Sequence, residues 1–194
     1  MIKMEIKEIL YTEIDKIGGK DAIRSQLSKD ISNSKFIINT LLENCSYLLN
    51  KDNPIEDEFV LFGESLLHFL LTMAMLPAER KIVIDNIDIH ILIPNIRNLK
   101  LDNDKAIMIH FVKDINENLM DTITKISTVQ KNKNNIWLVS SKDLDSNLDT
   151  FIISHPSLMS INNLDKRSVY SFSEILVKID EFLKNINYTG LKIF

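Results

Sequence analysis

The sequence predicts an α/β protein in which a helical N-terminal region is followed by a mixed sheet flanked by helices. Three observations carry this. Apolar residues recur at helical spacing as far as about residue 76; Lys81 to Ile93 switches to strand-like alternation; beyond it, short apolar runs alternate with helical stripes. Strands separated by helices require at least one parallel crossover. The expected division is a helical region over 1–52 and an α/β core over 53–194.

Ile2, Ile6, Ile9, Leu10 and Ile17 form the first stripe, and Gly18-Gly19 stops it. A weaker segment covers Asp21 to Lys29, and Ile38, Leu41, Leu42, Cys45, Leu48 and Leu49 then restore the helical period. Asn53-Pro54-Ile55-Glu56 reads as an N-cap, a first-turn proline and a capping-box glutamate, opening a long buried helix to about Leu76. In Lys81 to Ile93, Ile87, Ile89, Ile91 and Ile93 fall on one face and Asp88, His90 and Leu92 on the other, which reads as one strand or as two joined by a tight turn at Asp85-Asn86. Pro94 to Asp104 reads as a polar loop and Lys105 to Lys113 as a strand. Asp114 with Glu117 reads as a capping box for a helix along Ile115, Leu119, Ile123, Ile126 and Val129. Ile136 to Ser140, Phe151 to Ser154 and Val169-Tyr170 supply further strands. Ser171 and Glu174 cap a last helix through Ile175, Leu176, Ile179, Phe182 and Leu183.

With 194 residues, 45% hydrophobic and 26% charged, the chain can bury a core without staples, which excludes intrinsic disorder. Cys45 is the only cysteine, so an intramolecular disulfide and a multi-cysteine zinc site are excluded, and a cytoplasmic location is expected. The N-terminus mixes charged and apolar residues and lacks the apolar stretch of a signal peptide. Gly63, Glu64, Ser65 and His68 interrupt the apolar run from Phe59 to Leu76, so it reads as a core helix and no membrane contact is expected. A net charge of −4 leaves few phosphate contacts, so weak, salt-sensitive nucleic-acid binding is expected. The chain has four glycines and no P-loop, dinucleotide fingerprint, HExxH, GxSxG or EF-hand loop. No cofactor is called for.

The informative constellation is Glu64 on the long helix, Asp88 in the first strand pair and Lys113 at the end of the next strand. Over about residues 55–140 this order resembles the core of the PD-(D/E)XK nuclease-like superfamily: a helix glutamate, a strand aspartate, then an acid-x-lysine pair, a helix and a strand. The resemblance implies a restriction-endonuclease-like core, in which two carboxylates hold Mg²⁺ and the lysine orients the attacking water. Glu64, Asp88 and Lys113 are the candidate catalytic residues. The acid-x-lysine pair is broken, because Phe111 stands two residues before Lys113; taking His110 as the acid instead puts Val112 at the lysine position. The resemblance therefore implies a catalytically degenerate binding or scaffold protein. Two alternatives stand beside it: an interaction module that dimerises through its N-terminal helices or docks a protein partner, and a metal-dependent nuclease with an atypical site.

Asp88, His90 and His110 form a second candidate group, a His-His-Asp metal site on adjacent strands. His155 and the Ser140-Ser141 pair follow strands, where open sheets place function, but no base or oxyanion site accompanies them. Cys45 lies on an apolar stripe and reads as an inert core thiol. Lys125, Lys131, Lys133 and Lys142 make a modest basic cluster around the turn before Trp137, itself a core residue. The Ile stripe of the first helix, followed by two glycines, leads to the expectation that this helix swings out to pair two copies, so that removing about residues 1–20 leaves the core folded.

Overall fold

The computed structural model describes residues 5–47, 49, 57–114, 116–154 and 169–189. Helix α1 (Ile6–Lys16) opens with a capping box between Glu5 and Glu8 and buries Ile9, Leu10 and Ile14. Gly18, at φ 106°, donates its N–H to Asp15 and ends that helix. The same glycine leads straight into α2 (Gly19–Lys29), so the segment read as weak is a full helix, anchored by Ile23 and Leu27 alone. Helix α3 (Asn33–Cys45) buries Ile37, Ile38, Leu41, Leu42 and Cys45.

The capping motif at Asn53 to Glu56 lies outside the described residues. Helix α4 (Glu58–Met73) is capped by Asp57, whose side chain accepts from the N–H groups of Phe59 (3.0 Å) and Val60 (3.3 Å). It ends at Met73, three residues before Leu76, because Met75 turns to φ 52° and breaks the helical path. Twelve of its residues are buried, and among the described residues no helix is long and apolar enough to cross a membrane.

Strands β1 (Glu79–Ile84) and β2 (Ile87–Ile93) form a hairpin whose two-residue turn, Asp85 and Asn86, has φ of 51° and 62°. This is the primed geometry that matches strand twist, and Asp and Asn tolerate it. Strands β3 (Ile107–Phe111), β4 (Ile136–Ser140), β5 (Asp149–Ile152) and β6 (Val169–Ser171) complete a sheet in order β1-β2-β3-β4-β5-β6. The first two pairings are antiparallel and the last three parallel. Helix α6 (Leu119–Val129) makes the β3-to-β4 crossover, and α7 (Ile175–Asn185) follows one 3₁₀ turn that Ser171 caps.

Two local expectations are corrected. The Pro94–Asp104 loop contains a short helix α5 (Ile96–Leu101), started by Asn95 accepting from the Asn98 N–H at 3.0 Å. The Asp114–Glu117 capping box does not form. Asp114 accepts from the Asn116 N–H and closes a turn, and α6 starts later, on Asn118.

One face of the sheet carries α1 to α4 and α7 around Ile91, Ile93, Ile107, Ile109, Phe111, Val139 and Phe151. The other carries Ile126 of α6 with Ile84, Ile89, Leu92, Met108 and Leu138. Gly63 sits where α4 meets the end of β5: an added Cβ would stand 2.4 Å from Cδ1 of Ile153.

The predicted alternation of Ile87, Ile89, Ile91 and Ile93 is broken. Ile91 and Ile93 face α4, whereas Ile89 belongs to the opposite core and Ile87 packs on it. The reversal falls at His90. There β2 leaves β3, and the Phe111 N–H donates to the His90 ring at Nδ1 (2.9 Å). Lys81, between Arg80 and Ile82 of the opposing strand, takes φ 53°. Both strands of the hairpin thus change facing at one level, while β1 and β2 keep one-to-one pairing on either side of it.

Candidate functional site

The sheet and α4 are stapled where β3 ends. The Asp57 N–H donates to the Lys113 carbonyl at 2.8 Å, and the Ser141 hydroxyl donates to Oδ2 of the same Asp57. Two helical turns on, Glu64 points toward the strand ends, and Lys113 Nζ lies 3.3 Å from its Oε2. Glu64 is 6% exposed. Its Oε1 is buried and has no hydrogen-bond partner among the described residues.

Because the hairpin reverses its facing at His90, Asp88 lies on the α4 side. Glu64, Asp88, His90, Lys113 and Lys81 line one cavity of about 310 Å³. The three residues chosen from the sequence are therefore neighbours around one space, although plain strand alternation would have put Asp88 and Lys113 on opposite faces.

In the His-His-Asp grouping both imidazoles are already engaged. The rings of His90 and His110 stack with centroids 4.5 Å apart, but Nδ1 of His90 accepts from the backbone and Nε2 of His110 is held by Glu117 at 2.8 Å. Among the described residues no three His, Cys, Asp or Glu side chains converge on a point that could hold a metal ion. Burial, with the positive surroundings of His110 and Lys113, pushes His90 down to about 3, so the ring is neutral. Burial pulls Glu117 the other way, yet its bond to His110 keeps it below the usual carboxylate range.

Sequence reading missed three residues at or near this space. His68, one helical turn beyond Glu64, is pushed down to about 4 by burial, and its Nε2 is buried without a partner. Lys81 takes the positive φ at the level where the hairpin reverses, and Glu117 fixes His110. The i,i+4 spacing of Glu64 and His68 was a usable signal. His155 lies outside the described residues. Cys45 is fully buried, and its thiol is pushed up to about 12 by burial.

No protein-family model matches the chain, and no curated protein does. The chain is similar to the restriction endonuclease PspGI, solved in complex with substrate DNA, at 15% identity and a TM-score of 0.57, covering 94% of each chain. It is also similar to metal-depleted Ecl18kI in complex with uncleaved, modified DNA, at 13% identity and a TM-score of 0.58, covering 98% of this chain and 82% of that one. The fold is thus restriction-endonuclease-like.

That fold implies a divalent cation, which needs anionic oxygens aimed at one point. Asp88 and Oε1 of Glu64 border the cavity, but Oε2 of Glu64 already faces an ammonium at 3.3 Å. The position two before Lys113 holds Phe111, which is 0% exposed in the core. The residues present fall short of a complete cation centre.

Proposed function

We propose that this protein is a catalytically degenerate member of the nuclease-like group that binds nucleic acid without cleaving it. The observation that carries this reading is the closed ion pair between Glu64 and Lys113, with Phe111 where an acid would complete the centre. Lys113 serves as the counter-ion of a buried carboxylate and is not free to orient a water molecule. The DNA complexes of PspGI and Ecl18kI support nucleic acid as the ligand class. With a net charge of −4, binding to duplex DNA should be weak and should fall steeply with salt.

The test incubates plasmid and oligonucleotide duplexes with Mg²⁺ or Mn²⁺ and follows binding by fluorescence anisotropy across a salt series. Salt-sensitive binding with no cut product is expected. Cleavage that disappears in Asp88→Ala would overturn the reading and establish a nuclease with an atypical site.

A second reading is an interaction module that pairs copies or docks a protein partner. Phe36 and Tyr47, 72% and 74% exposed on and just after α3, favour it. Light scattering across a concentration series tests it, with Phe36→Ser/Tyr47→Ser expected to abolish any dimer.

A further inference from the structure

A second cavity, about 390 Å³ in volume, opens where α1 and the start of α2 approach α4 and β1. Four cationic side chains line it, Lys7, Lys20, Arg80 and Lys81, against one carboxylate, Glu64. That carboxylate is already balanced by Lys113. Among the described residues Lys7, Lys20 and Lys81 have no carboxylate within ion-pair distance, so this wall is locally positive in a chain of net charge −4. Such an imbalance draws an anion, and low-dielectric walls strengthen the field within a cleft.

The cavity is also held in shape. Arg80 donates to the His68 carbonyl at 3.0 Å, tying β1 to α4, and Lys20 lies over the Tyr11 ring, 5.0 Å from its centroid, tying α2 to α1. Tyr11 meets Phe69 edge to face. His68, also on this wall, leaves its buried Nε2 without a partner. A buried donor or acceptor of this kind is costly unless something answers it. An oxygen-rich anion could accept from a neutral ring N–H there while the lysines neutralise its charge.

We infer that this cavity is a phosphate-binding site, separate from the Asp88–Lys113 cavity and sharing with it only Glu64 and Lys81, and that its ligand is the phosphate of a nucleotide or of a nucleic-acid strand. The lysine ammonium groups and the guanidinium suit tetrahedral oxygens. The shared wall at Lys81 would let one strand pass from the first cavity to the second. The inference stands whether or not the protein binds duplex DNA.

The full chain is titrated at low salt with inorganic phosphate, with AMP and with a short oligothymidylate, by calorimetry and by following the histidine ring resonances. The His68 resonances should shift on binding while those of His110 stay. Lys81→Asn, a replacement that tolerates the positive φ, and Lys7→Gln/Lys20→Gln should each weaken binding by about tenfold. Lys125→Gln/Lys133→Gln, on α6 and the turn that follows it, should not. Circular dichroism confirms that each variant is folded. AMP binding as tightly as the oligomer identifies a free nucleotide, and an oligomer that binds at least about tenfold tighter identifies a strand. Absence of binding by all three probes, or binding that leaves His68 unshifted and ignores Lys81→Asn, overturns the inference. Plasmid cleavage in the earlier assay would leave it untouched.

Discussion

The Nζ of Lys113 stands 3.3 Å from Oε2 of Glu64, joining the end of β3 to the middle of α4. The carboxylate is nearly sealed, whereas the lysine side chain is 26% exposed. Removing the lysine leaves a buried charge with no counter-ion. Lys113→Ala should therefore cost about 2 kcal/mol, below the range for fully buried pairs because water still reaches the lysine. Glu64→Gln/Lys113→Ala should recover most of that loss, and urea midpoints of the three proteins measure it.

Stability should fall in mild acid. In the unfolded chain the His90 ring takes a proton as pH drops through 6.5, while in the fold it resists until about 3. The unfolded state therefore binds more protons across that window, and each pH unit should remove up to about 1.4 kcal/mol through this group. His68, pushed down to about 4, acts in the same direction. His90→Asn keeps an acceptor for the Phe111 N–H but cannot titrate, so urea midpoints taken from neutral to about pH 5 should decline less steeply for it.

Gly63→Ala should destabilise by about 2 kcal/mol, although alanine is the better helix former, because its Cβ would meet Ile153 at 2.4 Å. A second effect should appear at the site: moving α4 off β5 displaces Glu64, the next residue. Thermal midpoints test the first effect, and the Lys113 side-chain resonances test the second.

Removing residues 1–20 should unfold the protein, the reverse of what the sequence suggested. Ile9, Leu10 and Ile14 are 4%, 1% and 0% exposed and share one core with α3 and α4. The stripe expected to face another copy is already spent inside its own chain. Loss of far-UV circular dichroism on truncation is the expected result.

Cys45 should fail to react with a thiol reagent until denaturant is added, since burial both hides the sulfur and suppresses the thiolate.

The sequence made the strongly periodic elements legible and hid those defined by tertiary context. The apolar stripe of α4 could be read directly and the turn at Asp85-Asn86 as one of two alternatives, because period and turn chemistry are local properties. Helix α2 shows only Ile23 and Leu27 to the core, too few to register as a stripe. Helix α5 has Leu99 as its single buried residue, although Asn95 before it was a usable cap signal. At the site, Glu64, Asp88 and Lys113 were named from element order alone. Their meeting depends on the positive φ of Lys81 and on His90 accepting a backbone N–H from a neighbouring strand, and neither feature leaves a local mark. His68 was passed over although it stands one helical turn from Glu64, because that spacing places the ring near the site without showing whether it finds a partner there.

The reversal of facing within the hairpin imposes a rule of parity on sequence drift. Asp88 borders the cavity because an even step separates it from the level at which the strands turn over, so one residue gained or lost between Asp88 and His90 would carry the carboxylate to the α6 side without altering any side chain. Only paired changes in length could pass unnoticed. In this protein a tally of residues, as much as their identity, decides which groups share a space.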